Sequence, residues 1–225
     1  MVYTGNAADK CSPGIVNPAS ITSLTMWGDY INLDTEERRR FVSAAHEYLI
    51  DQVQYTPKIA IPAANTTANI KMDFNHPIRE LLWVVQRNTM IDLHEYFNYS
   101  SLAITDVSLS PRTDNIISAK IQLDGQDRFE RRTAPYFRLV QPYQRHTTTP
   151  VLSFIYVYSF ALRPEDAQPS GSVNASRIYI FNLLFDMCDT QCTDPPRGNA
   201  TATVYAVNHN VLRVIDGFGG LLFKV

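Results

Sequence analysis

Five histidines are the side chains best placed to move protons or hold a metal near neutral pH: His46, His76, His94, His146 and His209. No two of them fall in an H-x-H or H-E-x-x-H spacing, so none forms a local ligand pair. Cys188 and Cys192 stand in a C-x3-C spacing. A zinc site needs about four ligands, and neither a histidine nor a second cysteine pair lies nearby in sequence. Small core residues or an occasional disulfide are the simpler reading. A nucleophilic pair such as Cys188 with His209 would depend on the fold bringing distant segments together. The carboxylates Asp124, Asp127 and Glu130 cluster near a turn signal. A glycosidase needs two carboxylates on one cleft, and solvated loop charges account for these three more simply. His76, ahead of Pro77, reads as the cap of a strand end. G-x-S-x-G and phosphate-loop motifs are absent. The expectation is therefore no catalytic residue, no cofactor site and no metal site.

The elements that would position these groups read as mostly β. Residues 1–20 are polar and turn-rich, with Pro13-Gly14 and Asn17-Pro18. A strand-like run follows from Ile21 to Leu33. Phe41, Val42, Ala45, Tyr48, Leu49, Gln52 and Val53 then recur near the helical period, with Asp34 or Thr35 as N-cap and Glu36 and Glu37 in the first turn. Pro57 would stop this helix, placing a boundary near residues 54–60. Arg38, Arg39 and Arg40 read as a solvated face pairing with Glu36 and Glu37, ahead of a phosphate site.

Beyond it, Ile70, Met72 and Phe74 alternate with polar residues, and Leu81–Val85 is a continuous apolar run suited to a strand buried between layers. Residues 88–115 are irregular and read as a long loop. Ile117–Leu123 alternates and ends at the turn signal Asp124-Gly125. Tyr136–Val140, Val151–Leu162, Arg177–Met187, Thr201–Asn208, Val211–Ile215 and Leu221–Val225 are strand-length runs, most of them rich in Val, Ile, Tyr and Phe. About eight to nine strands in some 170 residues imply a sandwich or barrel. Gly217, Gly219 and Gly220 read as a bend in the last strands.

The bulk composition agrees. The chain has 225 residues and is 45% hydrophobic, enough for a sizeable core. A formal net charge of −2 makes the chain a poor candidate for a dedicated nucleic-acid binder, which needs a Lys/Arg excess, and lowers repulsion between copies. No apolar run reaches the roughly 18 residues of a membrane span, and no signal peptide is visible at the start. Three cysteines, an odd count, argue for a reducing compartment. Sequons occur at Asn65, Asn98, Asn174 and Asn199. The 12 Tyr and 11 Phe are mostly packing residues, a minority being suited to facing partners.

Several stretches carry a resemblance. Asn75–Gln86 (NHPIRELLWVVQ), Gln122–Phe129 (QLDGQDRF) and Tyr136–Gln144 (YFRLVQPYQ) resemble motifs of the major capsid proteins of nucleo-cytoplasmic large DNA viruses, closest to the iridovirus and marseillevirus type. So do Ile155–Glu165, Gln168–Ser172 with Asn174–Arg177, Asn208–Arg213 and Gly217–Leu221, in family order across residues 70 to 225. Upstream, Gly28–Phe41 and His46–Ile50 resemble the segment that joins the family's two jelly rolls.

The resemblance implies an all-β, antiparallel, eight-stranded jelly-roll sandwich, the second roll of a double jelly roll, preceded by a linker helix. Residues 1–55 would be the tail of the first roll plus that helix, and residues 56–225 the C-terminal jelly-roll domain. It implies a structural virion protein forming homotrimeric, pseudo-hexagonal capsomers. These would tile an icosahedral capsid over an internal membrane without spanning it, and would be assembled in the host cytoplasm. The implied partners are neighbouring capsomers and minor capsid proteins, with no direct nucleic-acid contact, no cofactor, and room for glycan on surface loops. Two rivals share the architecture. A carbohydrate-binding, lectin-like jelly roll would use aromatic loops to stack on sugars. A cupin-type enzyme would need the missing H-x-H strand.

Overall fold

The computed structural model describes residues 23–103, 112–188 and 198–223. These form two units, divided between Arg40 and Phe41. In the first, residues 23–34 have no regular structure, and Leu24, Met26, Trp27, Tyr30 and Ile31 are exposed. A strand was expected here. A strand needs a ladder partner, and among the described residues this segment has none. Helix α1 (Thr35–Ser43) follows. Asp34 caps it as expected: its Oδ1 accepts the Thr35 N–H at 2.6 Å and its carbonyl the Arg38 N–H at 2.9 Å.

The helix does not continue to Val53. His46–Tyr55 is a strand, β1, in register with a later strand, β11 (Ala200–Ile215), from His46 opposite Val214 to Tyr55 opposite Tyr205. The 3.6-like spacing joined the end of a helix to the outward face of a strand. The inward positions hid the true period because Gln52 and Gln54 occupy them. Asn210 Nδ2 donates to Gln52 Oε1 at 3.0 Å, and Gln54 Nε2 donates to Asn208 Oδ1 at 3.0 Å. Over residues 52–55 polar residues thus point inward and apolar ones outward, the reverse of the usual signal.

The second unit continues through β2 (Ile59–Ile61), β3 (Thr67–Lys71), β4 (Pro77–Arg87), α2 (Asn88–Asp92), β5 (Ile116–Leu123), β6 (Gln126–Asp127) and β7 (Arg132–Thr133). A π-helical turn (Tyr136–Val140) then runs into α3 (Gln141–Arg145), followed by β8 (Tyr156–Ser159), β9 (Val173–Asn174), a 3-10 turn (Ala175–Arg177), β10 (Phe181–Met187), β11 and β12 (Phe218–Leu221). One sheet has the order β1-β11-β4-β8, with β2 and β12 on β11 and β9 on β4. The other has the order β3-β10-β5-β6, with β7 on β5. The pairings are antiparallel, and each sheet has four strands on its main path. With their short side strands the sheets have seven and five strands, and together they are the expected antiparallel two-sheet sandwich, to which β1 adds a strand from outside residues 56–225.

Both sheets contribute to one core. Leu81, Trp83, Val85, Val204 and Ala206 come from the first, and Ile70, Ala119, Ile121, Leu183 and Phe185 from the second. Trp83 is fully buried, with its ring 5.1 Å from Phe137 and 6.0 Å from Tyr156. Its strand alternates: Leu81, Trp83 and Val85 are buried, Leu82 and Val84 half-buried, as suits a strand with partial cover on its second face.

Other boundaries differ from the sequence reading. Tyr136–Val140 is helical, not a strand; short aromatic and aliphatic runs suit a buried helix equally well. Pro135 precedes it in the helical region and Pro142 lies in the first turn of α3. Strand structure in Val151–Leu162 is confined to Tyr156–Ser159, and Arg177–Met187 becomes a strand only from Phe181. Thr201–Asn208 and Val211–Ile215 fuse into β11, because Asn208, His209 and Asn210 are buried within the ladder and not in a turn.

Asp124-Gly125 turns β5 into β6 with φ of 51° and 81°, and Asp216-Gly217 turns β11 into β12 with 51° and 79°, the signature of two-residue hairpins. Gly219 and Gly220 lie inside β12, so the reversal rests on Gly217. The long loop after β4 begins with α2, and residues 104–111 of it lie outside the described residues, as do most of the loop at 188–200, the turns of residues 1–20, Ile21, and Lys224 and Val225.

Candidate assembly surface

The residues suited to chemistry are dispersed. His46 Nε2 lies 3.0 Å from the Phe41 carbonyl, and His94 Nδ1 is 3.0 Å from the Tyr96 hydroxyl. His76 is buried at φ 67°; its N–H donates to Ser176 Oγ and its carbonyl accepts from Ala175, which fixes the entry to β4. Cys188 is in a disulfide and His209 is bonded to Asp51, so each is engaged elsewhere. The other cysteines, Cys11 and Cys192, lie outside the described residues. A disulfide runs against the reducing compartment inferred from the odd cysteine count. Among the described residues no group of His, Cys, Asp and Glu is arranged to hold a metal ion.

The three carboxylates near the turn do separate structural work. Asp124 Oδ1 accepts the N–H groups of Tyr179 and Ile180 at 2.8 and 3.0 Å. Asp127 accepts from Lys120 at 2.9 Å and Gln122 at 2.6 Å, hydrogen bonds that hold its carboxyl below the usual range. Glu130 is exposed. A cleft on the β11–β12 hairpin, lined by Arg213, Ile215, Phe218 and Leu222, contains no imidazole or carboxylate.

The outer face of the larger sheet is divided. Over β4, Gln86 Nε2 donates to the Tyr96 carbonyl at 2.8 Å, so the loop after α2 lies across it. Tyr99 of this loop has its phenol pushed up by burial and then by Tyr205. Along β8, the edge strand, α3 closes the ladder: Ser159 N–H donates to Gln141 Oε1 at 3.3 Å, and Phe137 anchors the segment in the core. A covered edge cannot recruit a stray strand.

Over β1 and β11 the same face is bare. Leu49 (50%), Val53 (63%), Tyr55 (69%) and Tyr205 (38%) are exposed, and the rings of Tyr55 and Tyr205 lie 6.3 Å apart. Exposed aliphatic and aromatic side chains grouped on one sheet face are a surface for contact, not for chemistry. Sequence reasoning missed it because β1 was read as helix. The clue was apolar residues at 49, 53 and 55 alternating with Gln52 and Gln54.

The sequence model of the family described as large eukaryotic DNA virus major capsid protein matches residues 37–220. The chain belongs to this family. The major capsid protein of Pyramimonas orientalis virus is 40% identical over 98% of the chain and 53% of its own length. That of Paramecium bursaria Chlorella virus 1 is 39% identical over 98% of the chain and 57% of its length. The relative from Invertebrate iridescent virus 6, 30% identical over 71% of the chain, is less similar than either. A solved PBCV-1 virus capsid superposes with a TM-score of 0.68 at 35% identity, covering 86% of this chain and 55% of that one. The chain thus spans about half the length of the curated relatives it matches. The fold is that of the viral jelly-roll capsid proteins.

One sequon is closed by the fold. Asn98 is 7% exposed, and its Nδ2 donates to Glu95 Oε2 at 2.7 Å and to the Leu102 carbonyl at 2.8 Å. Asn65, Asn174 and Asn199 are exposed.

Proposed function

We propose that this chain is the C-terminal jelly-roll part of a major capsid protein, and that its work is self-association into trimeric, pseudo-hexagonal capsomers without catalysis. On this reading the residues ahead of β1, α1 included, are the tail of a preceding roll and its linker. The residues from 56 onward, with β1 joined to their sheet, are the C-terminal roll. The observation that carries the proposal is the bare apolar face of β1 and β11 on a chain of this family, since an assembling subunit must offer dry surface to its neighbour. The occupant we assign to that face is another capsid subunit.

The capsomers would tile an icosahedral shell over an internal membrane in the host cytoplasm, alongside minor capsid proteins. Any glycan would sit on Asn65, Asn174 or Asn199, because the Asn98 amide is taken. The deciding experiment is the mass and symmetry of the purified species by sedimentation and negative-stain imaging. A threefold particle is expected. A chain that stays monomeric at all concentrations and saturably binds a free glycan would instead make it a lectin-like module.

A further inference from the structure

The larger sheet carries exposed apolar side chains at both of its edges. At the β1 edge, Val53, Tyr55 and Tyr205 belong to the bare face, and the loop after α2 extends it. Gln86 Nε2 fixes that loop over β4 through the Tyr96 carbonyl. The phenol of Tyr99, further along the loop, is pushed up by burial and then by Tyr205, so the loop borders β11. The loop is built inside out. Asn98 and Ser100 are buried: the Asn98 amide donates to the Leu102 carbonyl at 2.8 Å, and its Oδ1 accepts the Ser100 N–H at 3.0 Å and hydroxyl at 2.6 Å. Asn115, fully buried, donates to the Tyr99 carbonyl at 2.8 Å and the Val85 carbonyl at 2.9 Å. Tyr96 and Phe97 are left outside, Phe97 at 87% exposure. Polar side chains hold the backbone and aromatic ones face water, the reverse of an ordinary surface loop.

Among the described residues, the polar groups beside these rings are already bonded. The Tyr96 hydroxyl is 3.0 Å from His94 Nδ1, and Gln86, Asn98 and Asn115 are engaged with the loop's own backbone. A sugar site needs polar groups aimed at the ligand as well as rings to stack on it. A band of rings whose polar neighbours are taken suits a dry protein surface instead. Because the loop is held before any contact is made, seating it costs little ordering entropy. At roughly 200 Å² per aromatic side chain, the exposed parts of Tyr55, Tyr96, Phe97 and Tyr205 come to about 500 Å². That is more than half of the roughly 800 Å² each partner gives to a stable interface.

The opposite edge carries a second apolar surface. The helical segment over β8 buries Phe137 and Gln141. It leaves Val140 and Tyr143, three residues apart, exposed, Tyr143 at 81%. Leu162, whose carbonyl accepts from Arg145 Nη1 at 3.5 Å, is exposed beside the end of α3. Arg138 of the same segment is neutralised by Asp114 through bonds of 2.9 and 3.1 Å. β1 and β8 are the two ends of the sheet's order, so the two apolar surfaces belong to opposite flanks of one subunit. A twofold contact uses one surface twice and would leave the other in water. A closed ring of three needs two different surfaces on every copy. We infer, on the capsomer reading above, that copies of this chain associate head to tail: the aromatic band at the β1 edge of one copy seats against the α3 flank of the next.

Two exposed substitutions separate the surfaces. Phe97→Glu spoils the band and Tyr143→Glu the flank. Each variant should melt at the wild-type temperature, and each alone should weaken association by on the order of a hundredfold, read by sedimentation across a concentration series. An equimolar mixture of the two should form a dimer of one copy each and nothing larger. The intact flank of one variant meets the intact band of the other, and no second pair of intact surfaces remains. Val53→Glu can replace Phe97→Glu, and Leu162→Glu can replace Tyr143→Glu, should either variant fold poorly. A wild type that associates equally well with either substitution alone, or a mixture that stays monomeric, overturns the head-to-tail contact and leaves the capsomer reading standing. A wild type that is monomeric at every concentration, including one that binds a free glycan through Phe97, overturns both.

Discussion

Trp83 concentrates more of the packing into one side chain than any other position on β4. It is fully buried and touches two aromatic rings from separate elements, Phe137 and Tyr156. Its truncation leaves a cavity between the sheets that neither ring can fill without leaving its own contacts. Tyr156, for instance, is held by a hydrogen bond from its hydroxyl to Asp114 Oδ1 at 3.0 Å. Trp83→Ala should therefore cost about 3–5 kcal/mol, read from the urea midpoint at constant slope. A cost below about 0.5 kcal/mol, the range of an ordinary surface change, would be incompatible with the burial described. Trp83 Nε1 has no hydrogen-bond partner among the described residues. Phenylalanine should accordingly be tolerated better than alanine, since it keeps a ring and removes a buried donor.

At the scale of elements, β1 is held by side chains as well as by its ladder. Gln54 Nε2 donates to the Asn75 carbonyl at 2.6 Å and its Oε1 accepts the Asn75 N–H at 3.0 Å, while the same amide reaches Asn208. Gln54→Ala would strip partners from Asn75 and Asn208 together. A loss of about 1–3 kcal/mol is expected for leaving such groups unpaired, with faster exchange along residues 46–55 as its local signature. These glutamines also explain what could and could not be foreseen. The hairpin at Asp124-Gly125, the alternation of β5 from Ala119 to Ile121, and the burial of Trp83 were readable because local chemistry and tertiary structure agreed there. β1 and the helical turn at Tyr136–Val140 were not. In the first, inward-pointing amides reversed the usual pattern; in the second, an aromatic run had no intrinsic preference until Phe137 found the core. The resemblance over residues 70–225 identified the family while the bare face stayed hidden in a misread helix, and no local signal announces the bulge at Arg79, where Ile78 pairs with Asn208 and Glu80 with Val207.

For the whole molecule, the question is what the bare half of the larger sheet touches. Val53 is 63% exposed at its centre and contributes little to the isolated fold. Val53→Glu should leave thermal stability within about 0.5 kcal/mol of wild type. If the face is buried between subunits, the same carboxylate would be desolvated without a counter-ion and association should fall at least a hundredfold, measured by sedimentation across a concentration series. Unchanged association would place the contact on another face and leave the two-sheet fold untouched.

Strand β11 runs unbroken for 16 residues and pairs with β1, β2, β4 and β12 along its length. At the usual rise it measures about 50 Å. One added residue within it, unless absorbed as a bulge like that at Arg79 in β4, would turn the side chains beyond that point from core to solvent against several neighbours at once. Length can therefore change most freely where the chain reverses, at the ends of the strands. Descendants of such a subunit would be free to acquire new decoration at those ends, while the height of the wall between them stays fixed.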